Sequence, residues 1–132
     1  MYLRFICGVR NGISGLETGV FQPAFAIACG EIDVDFWHWK EIRQTLDWFN
    51  DNLDRPSRLH CPRRKARARS GVCWFRPEAE RHISLARYLA WLVTEAGVPV
   101  WEVRTVHPGE IVFRDDHQIV AARNRTGPVY LN

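Results

Sequence analysis

The chain has 132 residues, 46% of them hydrophobic, and its 18 Lys and Arg against 15 Asp and Glu leave a net charge of +3. That length suits a single α+β domain over residues 1–132 with one core. The absence of any run of 18 apolar residues excludes a helical membrane span, so no membrane partner is expected.

The opening MYLRFICGVR turns polar too soon for a secretion signal and reads as a first, central strand over Tyr2–Val9. Asn11 to Gly15 holds three turn formers and reads as a loop. Thr18 is placed to cap a helix over about 19–29, with Pro23 in its first turn and Gly30 ending it. Asp33 or Asp35 caps the next helix, which runs to about Leu53. Its apolar stripe is Trp39, Ile42, Leu46, Phe49 and Leu53. Trp37 and Trp48, eleven residues apart, fall together on the opposite, otherwise polar side. A neighbouring segment covering them is the plainer explanation. A partner or dimer face is the sharper one, since Trp is enriched at binding hot spots.

Pro56, Pro62 and Gly71 break any regular element over about 54–71, so a basic loop is expected there. Val72–Phe75 is a buried strand by its β-branched and aromatic content. Pro77 suits the first turn of a helix that ends near Ala96, where Gly97 caps and Pro99 forbids continuation. Ile83, Leu85, Ala86, Leu89, Ala90, Leu92, Val93 and Ala96 share one half of that helix. Trp91 lies opposite, bordered by Tyr88, where a covering tail and a ligand surface compete as explanations. A strand over Val98–Val106 follows. A His107-Pro108-Gly109 turn then leads into a hairpin of 110–114 and 118–122 around Asp115-Asp116-His117. The last ten residues end in Val129-Tyr130-Leu131, an apolar triplet suited to docking on the body. The pattern β-α-α-β-α-β-β-β predicts three helices on a mixed sheet of about five strands, with a parallel pair flanking the last helix.

Charge is segregated. Residues 1–54 hold four cations and eight acids, a net of −4. Residues 55–76 hold eight cations and no acid, +8, and residues 77–132 hold six cations and seven acids, −1. Arg58, Arg63, Arg64, Lys65, Arg67 and Arg69 form the dense part of the run. Guanidinium groups bind phosphate bidentately and release counterions, which points to nucleic acid or another polyanion. An acidic protein would satisfy the same charge, and a solvated loop pairing with the acidic first half is the plainer reading.

Cys73-Trp74-Phe75-Arg76, Glu80-Arg81-His82-Ile83, Gly97-Val98, Pro108-Gly109-Glu110-Ile111-Val112 and Gln118-Ile119-Val120-Ala121 resemble blocks shared by a group of small bacterial single-domain proteins with no established activity. Leu46-Asp47-Trp48-Phe49-Asn50-Asp51-Asn52-Leu53 resembles another of their blocks, and the likeness spans nearly the whole chain. The resemblance implies a bacterial cytosolic protein. The Arg-rich run departs from the group's pattern, and Ala122 stands where the pattern implies an acid.

The candidate chemistry is thin. His82 sits in the first turn on the apolar helix face, either a satisfied core histidine or a pocket residue. Asp115, Asp116 and His117 have the ingredients of an acid–base or metal site, although a solvated hairpin turn needs the same residues. Glu102 and Arg104 are explained by strand alternation. His60 and Cys61 with Cys73 lack a fourth zinc ligand at suitable spacing, so no metal and no cofactor are expected. Cys7, Cys29 and Cys73 lie in apolar runs and read as buried free thiols of a reducing cytosol. Three functions compete. The first is a binding module using residues 55–69. The second is a small-pocket enzyme acting on a nucleotide or nucleic acid through His82, His107, Asp115, Asp116 or His117. The third is a protein-binding partner of immunity or inhibitor type, or a homodimer, using Trp37, Trp48 and Trp91.

Overall fold

The computed structural model describes residues 1–10, 17–54 and 71–122. Residues 11–16, 55–70 and 123–132 lie outside the described residues, as do the expectations of a loop, a basic loop and a docking C-terminal triplet placed on them. The elements run β1 (Tyr2–Arg10), β2 (Glu17–Gly19), α1 (Phe21–Ala28), α2 (Phe36–Asn52), β3 (Gly71–Phe75), α3 (Glu80–Glu95), β4 (Val100–Thr105), β5 (Glu110–Arg114) and β6 (Gln118–Ala122). The class is α+β with three helices, in the expected order. A sixth strand, the three-residue β2, is added.

The sheet order is β2-β1-β3-β6-β5, with β4 also paired to β1. The pairs β1–β2, β1–β3, β3–β6 and β5–β6 are antiparallel. The expected parallel neighbours around α3 are therefore corrected: β3 lies between β1 and β6, and β4 pairs with β1. β1 is central, as its apolar run required.

The described chain divides into two compact units, and β1, α3 and β4 each contribute to both. One comprises residues 1–4, 71–83 and 102–122. Its buried residues include Leu3, Val72, Trp74, Phe75, Ala79, Ile83, Val103 and the whole of β6. β6 lies between β3 and β5 and is buried at every position, so both of its faces are covered. Its register runs from Gly71 opposite Ala122 to Phe75 opposite Gln118. On the other edge a shift between Ile111 and Phe113 marks a bulge.

The second unit comprises residues 5–10, 17–54 and 84–101. It buries Phe5, Cys7, Val20, Ala24, Ile27, Ile42, Leu46, Phe49, Ala86, Leu89, Leu92 and Val93. The α2 helix opens as its sequence demands, with the Asp35 carboxylate accepting from the His38 N–H at 2.8 Å. The α1 helix does not: Thr18 is buried in β2, and Val20 takes the cap position without a side-chain bond. The helix begins at Phe21, so Thr18 stands two residues before the cap position. The Cys7 Sγ–H donates to the Thr18 carbonyl at 3.3 Å.

The α3 helix starts later than expected, because Pro77 and Glu78 form a turn and helical bonding begins with Ile83 N–H to Ala79 O, 2.9 Å. Its end follows the sequence. Gly97 has φ +100°, Val98 N–H reaches Val93 O at 3.2 Å, and Gly97 N–H reaches Thr94 O at 2.9 Å. This is the paired bonding of a Schellman cap. The other glycine with a packing reason is Gly8 in β1, where an added Cβ would lie 3.3 Å from the Trp101 ring. No helix among the described residues is long and apolar enough to cross a membrane.

Candidate functional site

The hairpin tip was one of the sequence's candidates for acid–base chemistry, and its bonding is structural. One Asp115 oxygen accepts from both the His117 and Gln118 N–H groups at 2.8 Å, and the other accepts from Gln118 Nε2 at 3.2 Å. Asp115 N–H bonds Gln118 O at 3.0 Å, closing the turn. Partial burial pushes the Asp115 carboxyl up, but the three hydrogen bonds and the neighbouring His117 outweigh it and hold the group below its ordinary range. A carboxylate held ionised and committed to a turn is a poor proton donor or base at neutral pH.

Arg76 secures the same tip from the end of β3. Its N–H donates to His117 O and its guanidinium to Asp115 O, both at 2.9 Å, with Glu78 3.4 Å from its Nε. One of the eight cations of 55–76 is thus an internal clamp. His82, 6% exposed in the first turn of α3, stacks on His117, with ring centroids 4.1 Å apart and planes 23° apart. The structure therefore brings His82, Asp115 and His117 together around the tip. Asp116 and His107 are exposed, and the His107 N–H donates to Thr105 Oγ1 at 3.0 Å. Among the described residues no group of three or more His, Cys, Asp or Glu could hold a metal ion. Glu102 and Arg104 form an ion pair of 2.6 Å within β4.

The cysteines divide. Cys7 is buried, but Cys29, at the C-cap of α1, is exposed, contrary to its apolar sequence context. Two residues past buried Ile27, it lies about 200° further round the helix, on the outer side. Cys73 is half-buried, and desolvation pushes its thiol up to about 11, with Arg4 opposing and Asp115 adding to the rise. It is protonated and unreactive at neutral pH.

In the second unit the off-stripe tryptophans reach solvent. Trp37 is 55% exposed and Trp91 50%, while Trp48 is half-buried with its ring edge-on to Phe49. Two aromatic positions escaped the sequence reading. Phe36 is 73% exposed in the first turn of α2, and Trp101 is 48% exposed in β4. Trp39, expected in the core stripe, lies at the surface with its indole N–H donating to Ala28 O at 3.1 Å. Thr45 takes a buried place, its hydroxyl returned to Glu41 O at 2.8 Å. Leu53, the other end of the expected stripe, is half-buried past the last turn.

Two bonds align α2 with α3 inside this unit. His38 Nε2 donates to Leu92 O at 2.6 Å, and Tyr88 OH donates to a Glu41 carboxylate oxygen at 2.5 Å. The bond to Glu41, with desolvation and the carboxylate charge behind it, pushes the Tyr88 phenol up to about 12. The Tyr88 and Trp91 rings lie nearly parallel, 19° between planes and 6.0 Å between centroids.

Comparison with protein-family models, curated proteins and solved structures finds no match to this chain.

Proposed function

We propose that the protein is a binding module that contacts nucleic acid, or another polyanion, through residues 55–69. The observation that supports it is where the charge lies. The described residues hold nine cations and fifteen acids, a net of −6, against +3 for the whole chain. The excess positive charge therefore belongs to residues 55–70 and to Arg123 and Arg125, which together carry nine cations and no acid. Arg76, spent on the hairpin tip, is not needed for this count. A polyanion meeting an acidic body has one dense basic stretch to engage, and that stretch is five cations in the seven residues from Arg63 to Arg69. We take the protein to act in the bacterial cytosol, the compartment the resemblance implies.

The enzymatic alternative has less behind it, because Asp115 is committed to its turn and His82 is covered by His117. The test is fluorescence anisotropy of labelled mixed-sequence oligonucleotides, single- and double-stranded, at low salt. Wild-type protein should bind both, heparin should compete, and replacing Arg63, Arg64, Lys65, Arg67 and Arg69 with Ala should weaken binding to both strongly. Absence of wild-type binding to the oligonucleotides at low salt rules out nucleic acid, and absence of binding to labelled heparin as well refutes the proposal.

A further inference from the structure

The aromatic face of the second unit is not explained by a basic run elsewhere in the chain, and it carries its own chemistry. Trp37 and Glu41 stand four residues apart on α2 and so share a face. Tyr88, Trp91 and Glu95 share a face of α3 at spacings of three and four. The Tyr88–Glu41 and His38–Leu92 bonds hold the first turns of α2 beside the last turns of α3. The result is an indole and a phenol stacked together, a carboxylate bonded to that phenol, and a second exposed indole on the facing helix.

We propose that this face docks a cationic peptide segment, rich in Arg or Lys, of a protein partner. Three considerations select that occupant. An indole face attracts cations, and a guanidinium stacks on it while its edge pairs with a carboxylate. The unit as a whole is acidic, with four cations against nine acids, a net of −5. Charges of both signs flank the aromatics: Asp35 precedes Phe36 and Trp37 and Glu95 stands one turn beyond Trp91, while Lys40 lies one turn after Trp37 and Arg87 one turn before Trp91, so it is the unit's net charge that favours a cation. Nucleic acid is repelled by that charge, and a second copy would bring the same negative surface against itself. Part of the platform is pre-positioned. Tyr88 is held by its bond to Glu41, and the Trp91 ring lies nearly parallel to it. The inference stands independently of the polyanion reading, since it uses none of residues 55–69.

The probe is a short Arg-Gly-Gly repeat peptide, followed by intrinsic tryptophan fluorescence of the full chain at moderate salt. The same repeat with citrulline replacing Arg keeps the shape and removes the charge. The titration is repeated in the variant with the five cations of 63–69 changed to Ala, so that the chain's own cations do not compete. The Arg peptide should bind saturably and the citrulline peptide should not. Trp91→Leu should weaken binding by about tenfold and Trp37→Leu by about threefold, the range expected of single cation–π contacts. Trp101→Leu, at an exposed indole on β4, should leave it unchanged. Since Trp37 and Trp91 are half-exposed, both variants should keep the wild-type circular dichroism spectrum. Equal binding of the citrulline peptide would overturn the proposal. So would affinity indifferent to both Trp91→Leu and Trp37→Leu, or no binding in either background.

Discussion

The His82 imidazole lies flat against that of His117, 4.1 Å between centroids, joining the first turn of α3 to the tip of the β5–β6 hairpin. The two residues are 35 positions apart and belong to the same compact unit. The contact is a packing device. Replacing His82 with Ala should cost about 2 kcal/mol, from lost burial and an uncovered ring, while His82→Phe should cost less because a ring remains. Chemical denaturation of the three proteins checks the order. Equal losses for Ala and Phe would mean that the polar contacts of His82, not its stack, do the holding.

The Asp115 turn makes an acid-sensitive contribution. Its folded-state carboxyl titrates below the ordinary 3.8, so its stabilisation is complete above that value and is lost as pH falls through the lowered one. Asp115→Asn should cost about 1 kcal/mol at neutral pH, because the amide presents a donor to Gln118 Nε2 where the carboxylate presented an acceptor. The gap between wild type and variant should narrow below about pH 4. Thermal melts at neutral pH and at pH about 3 measure it, and a gap that widens in acid contradicts the assignment.

Tyr88 should ionise late. With the phenol raised from 10.0 to about 12, the support from its bond to Glu41 is complete below the ordinary value and lost as pH rises through the higher one. Near-ultraviolet absorbance should show one of the three tyrosines titrating about two units after its ordinary value. Tyr88→Phe should remove that step, and Glu41→Gln should move it back toward 10.0. A late step that survives Tyr88→Phe belongs to another residue.

Local chemistry made much of this fold readable. Gly97 followed by Pro99 announced the end of α3, and Asp115-Asp116-His117 announced the hairpin, because caps and turns are decided by a few adjacent residues. The stray tryptophans were legible for a similar reason: helical geometry alone puts Trp37 and Trp91 off their apolar stripes. What failed depended on partners distant in sequence. Thr18 reads as a cap until the pairing of β2 with β1 carries the strand on to Gly19 and delays the helix to Phe21. Strand neighbours could not be read from a β-α-β succession, since β4 passes over β3 to pair with β1. Trp39 reads as core until its indole finds the Ala28 carbonyl at the surface. The role of Arg76 was hidden inside a run of like residues, and only its two bonds to the hairpin separate it from them.

The central claim is that five cations at 63–69 carry polyanion binding, and its most direct test is the salt dependence of that binding. Each phosphate neutralised contributes about 0.7 to the slope of log affinity against log salt for a single strand and about 0.9 for duplex DNA. Full engagement of Arg63, Arg64, Lys65, Arg67 and Arg69 predicts slopes of about −3.5 and −4.5 for the wild type. Affinity for a mixed-sequence oligonucleotide would be measured from low to physiological salt, for wild type and for the variant with all five changed to Ala. The account predicts that the variant flattens the slope by about the full amount and weakens binding to every sequence alike, because phosphate contacts position a protein without reading bases. Unchanged slopes in a folded variant, or binding to an acidic protein with none to nucleic acid, would contradict it.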